Sequence, residues 1–201
     1  MNRERGSRDT GNLDTRLEAI LRADPGLMRL FHHARAAGLP DWRLVSGCLY
    51  QTVWNVLTNR PRGHGIRDYD LIYHDPADLS WEAEDAVTRR LDTVPPEALP
   101  FGPLQMRNQA RVHLWFESRF GIACPPLRSA DESLTLYPAT AQAIGARLEP
   151  DGGFSVVAPF GLADLFALIL RPNRALANRA TYLTKAERIR TLWPEVAVLP
   201  W

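Results

Sequence analysis

Two short stretches decide how the chain is read: Leu44-Val45-Ser46-Gly47-Cys48-Leu49 and Arg67-Asp68-Tyr69-Asp70-Leu71-Ile72-Tyr73. In the first, Trp42 to Val45 is a short strand candidate that breaks at Ser46-Gly47-Cys48. That break opens a helix to about Asn59, striped by Leu49, Val53, Val56 and Leu57. In the second, Tyr69 to Tyr73 reads as a strand. Side chains alternate along a strand, so Asp68 and Asp70 share one face while Tyr69 and Leu71 turn toward a core. Two neighbouring carboxylates repel when both are ionised. A divalent cation relieves that repulsion, and Mg²⁺ accepts one or two carboxylates together with substrate phosphate oxygens. Gly47 lets backbone approach a ligand, and N–H groups at a helix start attract phosphate. A phosphate cradle beside a carboxylate pair is the minimum equipment for metal-assisted phosphoryl chemistry.

Outward from this centre the chain alternates helices with short strands. Leu13, Leu17, Ile20 and Leu21 recur at helical spacing, and so do Leu27, Leu30, Phe31 and Ala34 behind Pro25. Ser80 suits the N-cap of a helix carrying Ala83, Val87 and Leu91. Leu104 to Arg107 is a further strand, after which Asn108 caps a helix bearing Val112, Trp115 and Phe116 that stops at Gly121. Ala146 to Glu149, the turn Pro150-Asp151-Gly152-Gly153, and Phe154 to Val157 form a hairpin candidate. Gly161 to Leu170 and Ala175 to Leu192 read as closing helices. The expected fold is a mixed α/β chain, a short mixed sheet with surrounding helices. Its strands are too few and uneven for a doubly wound sheet. The expected organisation is a flexible tail over 1–12, a core over 13–125, and a C-terminal part over 126–201 packed on that core.

Composition narrows the classes. The chain has 201 residues and a formal net charge of +1. That length suits one domain with a sizeable core, and near-neutrality argues against a partner that is long nucleic acid. The polar N-terminus is no signal peptide, and the apolar stretch Phe154 to Leu170 is interrupted by Pro159, Gly161 and Asp164. A span needs about 20 apolar residues, so no membrane is expected. The two cysteines, Cys48 and Cys124, read as reduced thiols of a cytoplasmic protein. Neutrality hides an uneven layout. Asp75 to Glu97 holds seven acids against two arginines, whereas Arg171 to Arg190 holds six bases against one acid. The second stretch is a local basic wall suited to a triphosphate, and it carries Lys185, the single lysine.

The order of strand, small-residue turn, helix and Asp-x-Asp strand resembles the DNA polymerase β-type nucleotidyltransferase superfamily. More narrowly, the chain resembles a family of small bacterial nucleotidyltransferase-like proteins. The matching residues include Ser46-Gly47, Gln51 to Asn55, Gly63 to Asp70, Asp78 to Asp85, Arg107 to Trp115, Ala158 to Gly161, Arg171 to Asn173, Trp193-Pro194 and Pro200-Trp201. The resemblance implies a polymerase-β-like core, Mg²⁺ (or Mn²⁺), a nucleoside triphosphate, and transfer of a nucleotidyl group to an unidentified acceptor hydroxyl. It implies Asp68 and Asp70 as catalytic metal ligands. Ser46, Gly47 and the Cys48 backbone would form the phosphate cradle, with Arg62, His64, Arg107 and Lys185 as nucleotide-binding side chains. For His64, phosphate contact and simple turn chemistry stand side by side.

Two departures from the superfamily stand out. The 19 residues from Leu49 to Arg67 exceed its usual gap, and the surplus forms the Arg60–His64 loop. Gln105 stands where its third carboxylate is expected. Glutamine coordinates weakly and cannot act as a general base. Another acid such as Glu97 would have to serve, or two carboxylates suffice. The remaining alternative is a catalytically degraded nucleotide-binding or partner-binding protein that retains the fold.

Overall fold

The computed structural model describes residues 3–91 and 99–201. Glu97 lies outside the described residues. Helix α1 (Arg3–Arg22) begins before the apolar stripe that starts at Leu13, and buries Leu17 and Leu21 completely. Helix α2 (Pro25–Ala36) starts under Asp24, whose carboxylate accepts from the Gly26 and Leu27 amides at 2.9 and 3.0 Å. This cap and the proline at the first turn fix the helix start.

Strand β1 (Arg43–Val45) lies at the centre of a five-stranded mixed sheet ordered β3-β2-β1-β4-β5. Helix α3 (Gly47–Leu57) follows it directly. Strand β2 (Tyr69–Tyr73) pairs antiparallel with β1, and β3 (Leu104–Asn108) pairs parallel with β2. Helix α4 (Trp81–Leu91) lies between them in sequence, as a parallel pair requires a crossover. Strands β4 (Gly145–Leu148) and β5 (Phe154–Val157) form the expected hairpin, and β4 pairs antiparallel with β1. Residues 126–201 therefore supply two strands of the sheet itself.

The sheet is covered on both faces. Leu44, Tyr69, Leu71, Tyr73 and Met106 join α1, α2 and α3 in the main core, while Val45 and Ile72 meet Ala130 and Leu134 on the other side. That second cover comprises a six-residue 3-10 helix (Gln109–Leu114), α5 (Phe116–Phe120) and α6 (Ala130–Leu134). Asn108 caps this segment by accepting from the Ala110 amide at 3.1 Å, and Gly121 ends it with φ 66°.

The closing segment differs from its sequence pattern. Within Gly161–Leu170 only Ala163–Phe166 is helical (α7), and Ile169–Leu170 (β6) pairs parallel with Ala197–Val198 (β7). Partners distant in sequence compete for the carbonyls that a longer helix would use. Leu165 O accepts from Trp54 Nε1 at 2.9 Å, and Leu168 O from the Ala197 amide at 2.8 Å. Helix α8 (Arg179–Leu192) starts later than Ala175. Asn173 ties the chain ahead of it to Thr135 O and Tyr137 O at 2.6 and 2.8 Å. Among the described residues no helix is long and apolar enough to cross a membrane.

Candidate active site

The carboxylate pair lies where β2 meets the start of α3. Asp68 immediately precedes β2, and Gly102 holds it there. A Cβ on Gly102 would fall 1.9 Å from Arg67 O and 3.0 Å from the Asp68 amide nitrogen, at φ +149°. Only glycine permits that approach. Asp70 stands opposite Val45 on β1 and opposite Gln105 on β3. The Gln105 amide crosses to the other acid, Nε2 donating to Asp68 Oδ2 at 3.2 Å.

Asp70 is half-buried between an acidic neighbour and two cations. Burial first, and the neighbouring Asp68 charge second, push its pKa from 3.8 up to about 6, against the opposing pull of Lys185 and Arg107. Lys185 answers in kind. Desolvation lowers its pKa, while Asp70 and Asp68 favour its charged form. Helix α8 thus brings the single lysine of the chain to the carboxylates, although well over a hundred residues separate them in sequence.

The Asp68 side of the site is polar. A Cβ on Gly47 would lie 4.0 Å from Asp68 Oδ1 and 3.6 Å from Gln51 Nε2, so the start of α3 opens directly onto the acid. Ser46 carries φ 54° and ψ −115° at the N-cap without a side-chain cap bond. Holding a non-glycine residue there costs on the order of 1–3 kcal/mol, and such strain clusters at ligand clamps. Its amide is anchored to Ile144 O at 2.9 Å. Behind it, Gln51 donates to the buried Tyr50 hydroxyl at 2.8 Å, and both Asp68 and Arg188 act on that phenol. Gln51 Oε1 and Arg188 Nε are buried without partners among the described residues. Cys48 is fully buried, with Sγ donating to Val45 O at 3.6 Å, and burial drives its thiol pKa far up. The residue contributes backbone and packing here, and its thiol is no nucleophile.

The Asp70 side opens onto a cavity of about 330 Å³, lined at its polar end by Ser46, Asp70, Gln105, Arg107 and Lys185. The structure therefore gathers seven of the residues singled out in the sequence: Ser46, Gly47, Cys48, Asp68, Asp70, Arg107 and Lys185. Arg62 and His64 are engaged elsewhere. Arg62 pairs with Asp24 at 3.1 Å and lies over the Phe101 ring. His64 Nε2 lies 3.1 Å from Leu192 O, with its ring edge-on to Trp193. Tyr50 and Asn178 escape a sequence reading, whereas Arg188 belongs to the basic stretch Arg171 to Arg190. Gln51 carried a local signal too, one helical turn beyond Gly47.

The residues present fit a divalent cation in one way. Among the described residues no group of three or more His, Cys, Asp or Glu side chains is placed to hold a metal. The site offers two hard carboxylates, leaving other positions to water and phosphate oxygens, a donor set that suits Mg²⁺. The Asp70 carboxyl, raised by burial first and by its neighbour's charge second, is the group such a cation would relieve.

A nucleotidyltransferase family model matches residues 32–198, from within α2 to β7. The chain belongs to this nucleotidyltransferase family. The transferase also shares its fold with a solved NMR structure described as revealing a CCA-adding enzyme head domain. That likeness has a TM-score of 0.71 and 25% identity, and covers 92% of this chain and 94% of that one. No curated protein matches the chain.

Proposed function

We propose that this nucleotidyltransferase moves a nucleoside monophosphate from a nucleoside triphosphate to an acceptor hydroxyl, using a divalent metal held by Asp68 and Asp70. The observation that carries this reading is the convergence of Asp68, Asp70, Arg107 and Lys185 at the open start of α3. When bound, the metal would supply Lewis-acid neutralisation of triphosphate charge. The Gly47–Cys48 helix start receives phosphate oxygens through N–H groups that have no intrahelical partner. Lys185 and Arg107 bring further positive charge to the phosphates. In the transfer, the acceptor oxygen bonds to the α-phosphorus and the bond from that phosphorus to the bridging oxygen breaks. Pyrophosphate leaves with the electron pair, and the hydroxyl proton passes to water. Gln105 takes no proton, because an amide is not a base. It fixes Asp68 through the 3.2 Å hydrogen bond instead.

Calorimetric titration of ATP, GTP, CTP and UTP in the presence of Mg²⁺ tests the reading. Micromolar-range binding is expected for at least one of them, with a loss of more than tenfold in Asp68→Ala and in Asp70→Ala. Unchanged affinity in both variants would remove the site assignment. Pyrophosphate release with hydroxyl acceptors then separates transfer from nucleotide binding without turnover.

A further inference from the structure

The cavity beside Asp70 has a chemical character the triphosphate does not need. Away from its polar end its walls are apolar and aromatic: Trp115, Phe116, Phe120, Ile122, Leu136 and Tyr137. Three of these rings form one cluster, with Phe116 and Phe120 centroids 4.7 Å apart and Trp115 at 6.0 and 6.4 Å from them. Phe116 and Phe120 sit four residues apart on α5 and so face one way. Phe120 remains 44% exposed at the cavity rim. Polar side chains interrupt the wall at Gln109, Ser133, Asn178 and Thr181. Of these, Asn178 is 7% exposed and keeps Oδ1 without a hydrogen-bond partner among the described residues. A buried amide oxygen left unpaired loses its water without a replacement, so it marks a place for a donor that a ligand would bring. An apolar enclosure of a few hundred Å³ with few polar groups describes a small-molecule site.

The two carboxylates separate two environments. Asp68 faces the polar side formed by Gly47, Gln51 and Tyr50, which suits phosphate. Asp70, with Gln105 and Arg107, faces the aromatic cavity. We propose that this cavity binds the acceptor, and that the acceptor is a small molecule with an apolar, ring-sized body and a hydroxyl presented to Asp70. The proposal rests on the nucleotidyl-transfer reading for its role, though not for the binding itself. A nucleic-acid end is the poorer fit. Its phosphates call for several cations, and this cavity offers Arg107 and Lys185 beside a mainly apolar and aromatic lining.

The test uses the full chain and 2-naphthalenemethanol, a ring alcohol, titrated with and without saturating Mg²⁺–ATP and followed by tryptophan fluorescence. Saturable binding is expected, unaffected by Mg²⁺–ATP. Phe120→Ser, at a solvent-accessible position, should weaken it at least fivefold and leave Mg²⁺–ATP affinity within twofold. Phe160→Ser, at an exposed position outside the cavity, should change neither. Cys124 lines the cavity and is half-buried, whereas Cys48 is fully buried. The bound alcohol should therefore slow iodoacetamide alkylation of Cys124 at least threefold, as read by mass spectrometry. Absence of saturable binding, or binding indifferent to Phe120→Ser and without protection of Cys124, overturns the proposal while the transfer reading stands. Competitive displacement by Mg²⁺–ATP also overturns it, because the cavity then houses the base of the donor. Alcohol binding in a protein that binds no nucleoside triphosphate overturns the acceptor role together with the transfer reading.

Discussion

Asp70 ties stability to the chemistry proposed for it. Its pKa rises from 3.8 to about 6 on folding, with burial as the largest cause and Asp68 as the second. Between those values the native state holds a proton that the unfolded chain has already lost. Stability then falls as pH rises through this window, and the cost is fully present above it. Asp70→Asn should therefore raise the unfolding free energy at pH 7.5 and leave it unchanged below pH 4. A shift of this size corresponds to about 3 kcal/mol before screening, and partial solvent access brings the expected gain to on the order of 1–2 kcal/mol. Urea titrations of both proteins at the two pH values check the sign. A gain at low pH and none at high pH would contradict it. The pairing of Asp68 with Asp70 was legible from strand alternation alone. The amide bridge from Gln105 to Asp68 was not, since it depends on the register of two parallel strands far apart in sequence.

At the level of elements, the start of α3 separates a functional glycine from a structural one. Gly47 has room for a methyl group, its nearest neighbours being at 3.6 and 4.0 Å, and as the first residue of α3 it takes helical backbone that alanine adopts without strain. Gly47→Ala should therefore keep or slightly raise the melting temperature. It should nevertheless weaken Mg²⁺–ATP binding about tenfold, because the methyl group occupies the space in front of Asp68. Calorimetry alongside thermal melting measures both quantities. A loss of stability with intact binding would make Gly47 merely a turn residue. Strand, turn, helix and second strand were all readable here, because each has a local signal in apolar spacing and small residues. The segment Gly161–Leu170 shows the limit of such signals. Its pattern suits one helix, yet carbonyls claimed by Trp54 and Ala197 cut it to a single turn followed by a strand.

Across the whole molecule, the C-terminal segment braces the loop that leads to Asp68. Trp193 is completely buried, donates Nε1 to Asn55 Oδ1 at 3.1 Å, and packs edge-on against Trp54 and His64. A Cβ on Gly65 would lie 2.3 Å from its ring. Trp193→Ala should cost about 3–5 kcal/mol in urea unfolding. Because Trp193 follows α8 and touches the loop before β2, Mg²⁺–ATP affinity should also fall in the fraction that stays folded. A loss below 1 kcal/mol would show that the loop is held by other contacts. The Arg60–His64 insertion joins the two ends of the chain, through Arg62 to Asp24 and through Arg60 and His64 to Glu195 and Leu192 O.

The sequence by itself determined the local pieces: the strand-turn-helix around Gly47, the shared face of Asp68 and Asp70, the hairpin, and the mixed α/β class. These follow from periodicity and backbone preference, which act over a few residues. Only the tertiary structure decided which distant side chains meet. It brought Lys185 to Asp70, sent Arg62 to Asp24 and His64 to Leu192 O, and closed an aromatic cavity from residues 109–138 against β3 and α8. Such meetings are settled by burial and by hydrogen bonds between segments far apart in the chain, which no local pattern encodes.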